Sequence, residues 1–196
     1  SSKTAWPPTF CSLAEFLGLT DGVLAGDGIQ HQQGLKAYVK EINGLVYRDG
    51  LTGVKNKMYY SEYIKSLSEE EQKQPYAIVV FKVTGLAGVN KTRGRKCGDE
   101  LIVTACGIIC RVFSHSPIFR IGGDEFVAFL KGNDYMKCGE LLREFEDFSS
   151  DVTLVSAPDI AVRIVYGTAQ SADGTEPYEE VFCRADEEMD QKKKGM

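Results

Sequence analysis

Residues 119–129 read FRIGGDEFVAF, and this stretch decides how the chain around it must fold. Mainly apolar stretches at 118–121, broken by Arg120, and at 126–130 flank two glycines and two carboxylates. That is the pattern of two short strands joined by a tight turn. Gly122 and Gly123 suit a turn that needs positive φ or a close backbone approach. Asp124 and Glu125 put adjacent negative charges at its far end. A rigid hairpin carrying two neighbouring carboxylates predicts that a cation or a proton meets them there.

Working outward, YAIVVFKV at 76–83 is a continuous run rich in β-branched residues, as a central strand buried on both faces requires. Glycines follow at 85, 88, 94 and 98. The spacing then predicts helices over 99–112 and 135–148, a strand over 160–168 and a last helix over 178–194 with a basic end. Upstream, Leu35, Tyr38, Val39, Ile42, Leu45 and Val46 recur at three- and four-residue spacing, which reads as a linker helix over 34–50. RDGLTGVKNK breaks it, 59–67 returns to helical period, and SEEEQKQP ends that helix. Residues 1–33 show weak periodicity and read as an extension or the remnant of an upstream region. Together the elements predict an α/β (α+β) layered domain over 51–196, its sheet covered by helices.

Composition narrows the function. A formal charge of −5 argues against a general nucleic-acid or anionic-membrane binder, while leaving room for a local phosphate pocket. No apolar run approaches the length of a bilayer span, and no signal-peptide pattern opens the chain. The six cysteines, Cys11, Cys97, Cys106, Cys110, Cys138 and Cys183, form no CxxC pair. They read as small core hydrophobes of a reducing cytoplasm. His31 and His115 have no carboxylate or cysteine constellation and read as surface residues.

RIGGDEF resembles the signature of the GGDEF domains, the bacterial diguanylate cyclases. DGLTGVKNK is similar to that family's entry motif after its linker helix. GLAGVNKTRGRKCGDELI is similar to its nucleotide-binding loop and following helix, and RADEEMDQKKK to its last helix. Four motifs in family order are far more specific than one. The resemblance implies a nucleotide-cyclase-like sheet of about five mostly antiparallel strands, with the GGDEF turn on a hairpin. It implies that two GTP-loaded domains meet as a homodimer and join their nucleotides into cyclic di-GMP, releasing pyrophosphate. It also implies Mg²⁺ or Mn²⁺, held by Asp124, Glu125 and the backbone of Val83, with Asp124 and Glu125 as the catalytic carboxylates. Asn90 and Asp99 match the pair that binds guanine. Leu86 lies in the loop, residues 84–88, whose backbone N–H groups would meet phosphate, and Lys193 matches a last-helix lysine that reaches it.

The sequence departs from that pattern where metal should bind. Lys82 aligns with the strand-end aspartate, and a protonated lysine cannot ligate magnesium. A divalent ion about 4 Å away would be repelled by roughly 8 kcal/mol at an effective dielectric of 20. Lys82 is better suited to pair with Asp124 or Glu125. Thr84, Ala87 and Lys91 replace an Asp or Asn, a Lys and an Asp. Phe113 and Ser116 stand where many members carry the Arg-x-x-Asp product-inhibition site, so none is expected. The resulting expectation is a cytoplasmic GTP-binding, regulatory GGDEF domain of cyclic di-GMP signalling, weak or inactive as a cyclase and joined to other signalling domains. The alternatives are an active cyclase and a structural dimerisation module with an empty pocket.

Overall fold

The structure is a computed structural model that describes residues 46–67 and 74–195. The 1–33 extension, residues 34–45 of the expected linker helix, Cys11 and His31 lie outside the described residues. At the end of that expected helix, residues 47–50 are not helical but form a turn and an Arg48–Lys55 bridge. In chain order the elements are β1 (Lys55–Asn56), α1 (Lys57–Ser66), β2 (Tyr76–Val83), α2 (Leu86–Arg93), α3 (Arg95–Val112), β3 (Ile118–Arg120), β4 (Glu125–Lys131), α4 (Gly132–Met136), α5 (Cys138–Ser149), β5 (Ile164–Ser171) and α6 (Tyr178–Lys194).

The strands form one five-stranded sheet in the order β1-β3-β4-β2-β5. Only β1 and β3 pair in parallel; β3–β4, β4–β2 and β2–β5 are antiparallel. β2 lies between β4 and β5, as its unbroken apolar run requires, and Lys82 is its one residue that is not fully buried. Alternate residues of β2 feed two cores. Ala77, Val79, Phe81 and Val83 pack with Leu101, Ile102 and Ile109 of α3 and Phe145 of α5. Ile78 and Val80 face the other way with Phe119, Val127 and Phe129, covered by Val181, Ala185 and Met189 of α6 and by Tyr59, Tyr60 and Tyr63 of α1.

Four local readings change. The stretch after β2 is a helix, α2, and two of its glycines sit at its ends with φ of +81° at Gly85 and +83° at Gly94. α3 therefore starts at Arg95, four residues ahead of the predicted 99. The helix predicted over 135–148 is two helices, because Lys137 (φ −99°, ψ 12°) leaves helical geometry between them. The strand predicted from 160 starts at Ile164. The residues before it are engaged otherwise, in a Thr153–Ala161 bridge and a Leu154 N–H to Ile160 O bond.

Candidate functional site

Lys82 at the end of β2 is paired in register with Glu125 at the start of β4, so both side chains leave the sheet on the same face. Lys82 Nζ donates to Glu125 Oε1 at 2.5 Å and lies 4.0 Å from Asp124 Oδ1. The lysine side chain is only 17% exposed. The hydrogen bond to Glu125 raises the Lys82 pKa above its ordinary value; burial opposes the rise, and the charges of Asp124, Glu125 and Asp190 add to it. The same face is met by α6. Asp186 there has a raised pKa, from burial first and then from the charges of Asp190 and Glu125, with Lys82 pulling the other way. One lysine is thus set among the carboxylates of Asp124, Glu125, Asp186 and Asp190. Asp186 and Asp190 were missed in the sequence. Their four-residue spacing on a helix whose Ala185 and Met189 are buried was the available signal.

The turn itself departs from expectation in one respect. Neither Gly122 nor Gly123 has positive φ. What Gly122 provides is room: a Cβ there would lie 2.9 Å from Glu125 Oε2. The Ile121 N–H donates to the Glu125 carbonyl at 3.0 Å, and the Val83 N–H donates to the Asp124 carbonyl at 2.8 Å. Arg120 spans the turn, donating to the Gly123 carbonyl at 2.6 Å and to Asp49 Oδ1 at 2.8 Å. Asp49 also accepts from the Thr52 backbone N–H and hydroxyl. Burial alone would raise its pKa, but the bonds from Thr52 and Arg120 outweigh that and lower it. RDGLTG, near the start of the described chain, is therefore an anchor for the carboxylate turn.

The proposed guanine residues sit at the α2–α3 junction. Asn90 lies so close to Gly98 that a Cβ there would stand 2.0 Å from Asn90 Oδ1. This places its amide beside the residue preceding Asp99, and both Asn90 and Asp99 are exposed. Leu86 opens α2, so the stretch expected to be loop is a helix N-terminus. The first intrahelical bond runs from the Val89 N–H to the Gly85 carbonyl at 3.0 Å, which leaves the N–H groups of Leu86, Ala87 and Gly88 without intrahelical acceptors. Lys193 is exposed on α6, on the helical face of Asp186 and Asp190. Phe113 is fully buried, and Ser116 donates to Asp134 Oδ2 at 2.6 Å. His115 is exposed. A cavity of about 440 Å³ opens elsewhere, lined by Ile64, Tyr76, Phe129, Glu176 and Tyr178 among others, and no site residue lines it.

The divalent metal implied by the resemblance does not fit these residues. Glu125 is engaged by the Lys82 ammonium, and among the described residues no three His, Cys, Asp or Glu side chains gather as a metal site. The arrangement can instead hold a fixed positive charge between the carboxylates of the hairpin and those of α6. No helix of the described residues is long and apolar enough to cross a membrane.

Comparison with known proteins agrees with the fold. Residues 46–196 match the family described as diguanylate cyclase, GGDEF domain. The chain is 31% identical over 148 residues to the diguanylate cyclase DgcS of Shewanella oneidensis, covering 74% of this chain and 49% of that protein. It thus spans about half the length of this curated relative. The coiled coil and GGDEF domain of DgcB from Caulobacter crescentus, solved in complex with c-di-GMP, superposes with a TM-score of 0.73 at 22% identity, over 94% of this chain and 95% of that one. The FimX GGDEF domain from Pseudomonas aeruginosa superposes with a TM-score of 0.66 at 17% identity, over 74% of this chain and 92% of that one.

Proposed function

Because this chain belongs to the diguanylate cyclase GGDEF domain family, we propose that it binds a guanine nucleotide as a regulatory domain of cyclic di-GMP signalling and turns GTP over weakly or not at all. The observation that carries this reading is the 2.5 Å bond from Lys82 to Glu125. It commits a hairpin carboxylate to a resident cation, while Asn90, Asp99 and the first turn of α2 keep the groups suited to guanine and phosphate. The partners of such a domain are GTP, a second copy of itself and the signalling domains attached to it, and its place is the cytoplasm. Residues 51–196 would be its nucleotide-binding fold.

Two measurements test this. Incubation with GTP and Mg²⁺ or Mn²⁺ should yield little or no cyclic di-GMP; robust product would overturn the loss of turnover. Calorimetry with GTP, with and without metal, should show binding that metal does not strengthen. No heat under either condition would leave an empty structural module instead.

A further inference from the structure

Cys106 and Cys110 lie outside the nucleotide site. They occupy one face of α3 on successive turns, and their Sγ atoms are 3.9 Å apart in a thiol–thiol hydrogen bond. Cys106 is buried, at 4% exposure, whereas Cys110 is partly open to solvent. We propose that this pair is a reversible oxidation site, in which Cys110 attacks a low-molecular-weight disulfide and Cys106 resolves the product.

The two thiols differ in a way that suits those roles. The sulfur–sulfur hydrogen bond with Cys106 lowers the Cys110 pKa against the effect of burial. The same bond, and then burial, keeps the proton on Cys106. The thiolate is the attacking form, so the open cysteine is the nucleophile and the covered one stays in reserve. In the first step the Cys110 thiolate attacks one sulfur of the oxidant disulfide and expels the other as thiolate. In the second, Cys106 loses its proton and attacks Cys110 Sγ, expelling the second oxidant thiolate. Two protein thiols are oxidised to one disulfide, and one external disulfide is reduced to two thiols. A regular helix holds residues four apart with Cβ atoms about 5–6 Å from each other, whereas a disulfide needs about 3.5–4.5 Å. Closing the bond must therefore draw in one turn of α3, and a bond formed under strain is readily reduced.

That turn adjoins the anchor of the carboxylate hairpin. Thr52 and Arg120 both act on the Cys106 thiol, each lowering its pKa against the larger effects of Cys110 and burial. Thr52 and Arg120 both hold Asp49, and Arg120 holds the Gly123 carbonyl. Oxidation of the pair is thus placed to disturb the GGDEF turn without touching nucleotide.

The test is timed oxidation of the folded chain with oxidised glutathione, read by mass spectrometry of the peptide spanning 97–111. Exposed Cys183 serves as the internal rate standard. In the unmodified protein Cys110 should react several-fold faster than Cys183. It should then lose its glutathione and leave a 106–110 disulfide two hydrogens lighter, which dithiothreitol reverses. In Cys106→Ala the glutathione should stay on Cys110 and its attachment should slow several-fold. In Cys110→Ser the peptide should gain nothing at Cys106. A 106–110 linkage that forms only in denaturant, or a Cys110 no more reactive than Cys183, would overturn the proposal. Because the first readout uses the unmodified chain, failure of either variant to fold does not remove the test.

Discussion

At the scale of single residues, Lys82 sets the electrostatics of the site. Replacing it with aspartate would add one more carboxylate to those of Asp124, Glu125, Asp186 and Asp190 and leave no ammonium among them. Like charges so placed repel, and a divalent cation is the simplest relief. Lys82→Asp is therefore expected to melt lower than the parent protein in chelator and to recover on adding Mg²⁺ or Mn²⁺. The parent should show no such dependence, and metal-dependent GTP binding should strengthen in the variant. Thermal melts with and without metal, plus calorimetry, check both; a variant indifferent to metal would show that Lys82 does not occupy an ion's place. Asp186 gives a pH-dependent counterpart. Its folded pKa is raised, so the folded state holds the proton more tightly than the unfolded chain. Stability then falls as pH rises from the ordinary carboxylate range through the raised value. Asp186→Asn should raise the melting temperature at pH 7 and lose that advantage near pH 3, where the native carboxyl is protonated too. The Lys82 exchange was legible in the sequence because it breaks a motif. The neighbouring Asp190 was less so: its spacing from Asp186 puts the two on one face of α6, but the period alone does not tell that this face meets the end of β2.

At the scale of elements, the edge of the sheet shows how α6 does more than cover a face. β5 is an outer strand, and an outer strand offers unpaired N–H and C=O groups to other chains. Here Glu188 Oε2 accepts from the Thr168 N–H at 2.8 Å, and Arg184 donates to the Gln170 carbonyl at 3.0 Å. Glu188 is in turn paired with Lys192 at 2.8 Å. Glu188→Ala with Arg184→Ala is expected to cost about 1–3 kcal/mol, about 0.5–1.5 kcal/mol for each of two lost, partly exposed hydrogen bonds. It should also raise concentration-dependent aggregation, seen by light scattering of the folded protein; unchanged scattering and melting would mean that the edge is protected by other means. The elements themselves were largely readable: β2 from its apolar run, the hairpin from its glycines, α6 from its period. The failures share a cause. In the sequence glycine marks loop, yet Gly85 and Gly94 close the ends of a helix with positive φ. The break at Lys137 carries no glycine or proline to announce it.

At the scale of the whole molecule, the site depends on how closely α6 lies on the sheet, because α6 brings Asp186, Asp190 and Lys193 to one side of it. That approach is set at Gly167 of β5. A Cβ on this residue would lie 2.0 Å from the Ala185 carbonyl and 2.4 Å from the Met189 N. Both are backbone atoms of α6, so the clash cannot be relieved by a change of side-chain rotamer, and the helix would have to lift along its length. Lifting it would also part the core made by Val181, Ala185 and Met189 with Ile78, Val80 and Phe129. Gly167→Ala should therefore lose at least about 3 kcal/mol, the upper part of the range for overpacking, and should weaken nucleotide binding together with stability. Gly107 is the natural control. It lies within α3 with no atom near enough to meet a Cβ, and alanine there should stabilise by about 0.5–1 kcal/mol. Urea titrations of the two variants separate a local propensity effect from a displaced helix. If Gly167→Ala unfolded at the parent's midpoint, α6 could not rest on β5 at this distance, and the acidic side chains facing Lys82 would have to come from elsewhere.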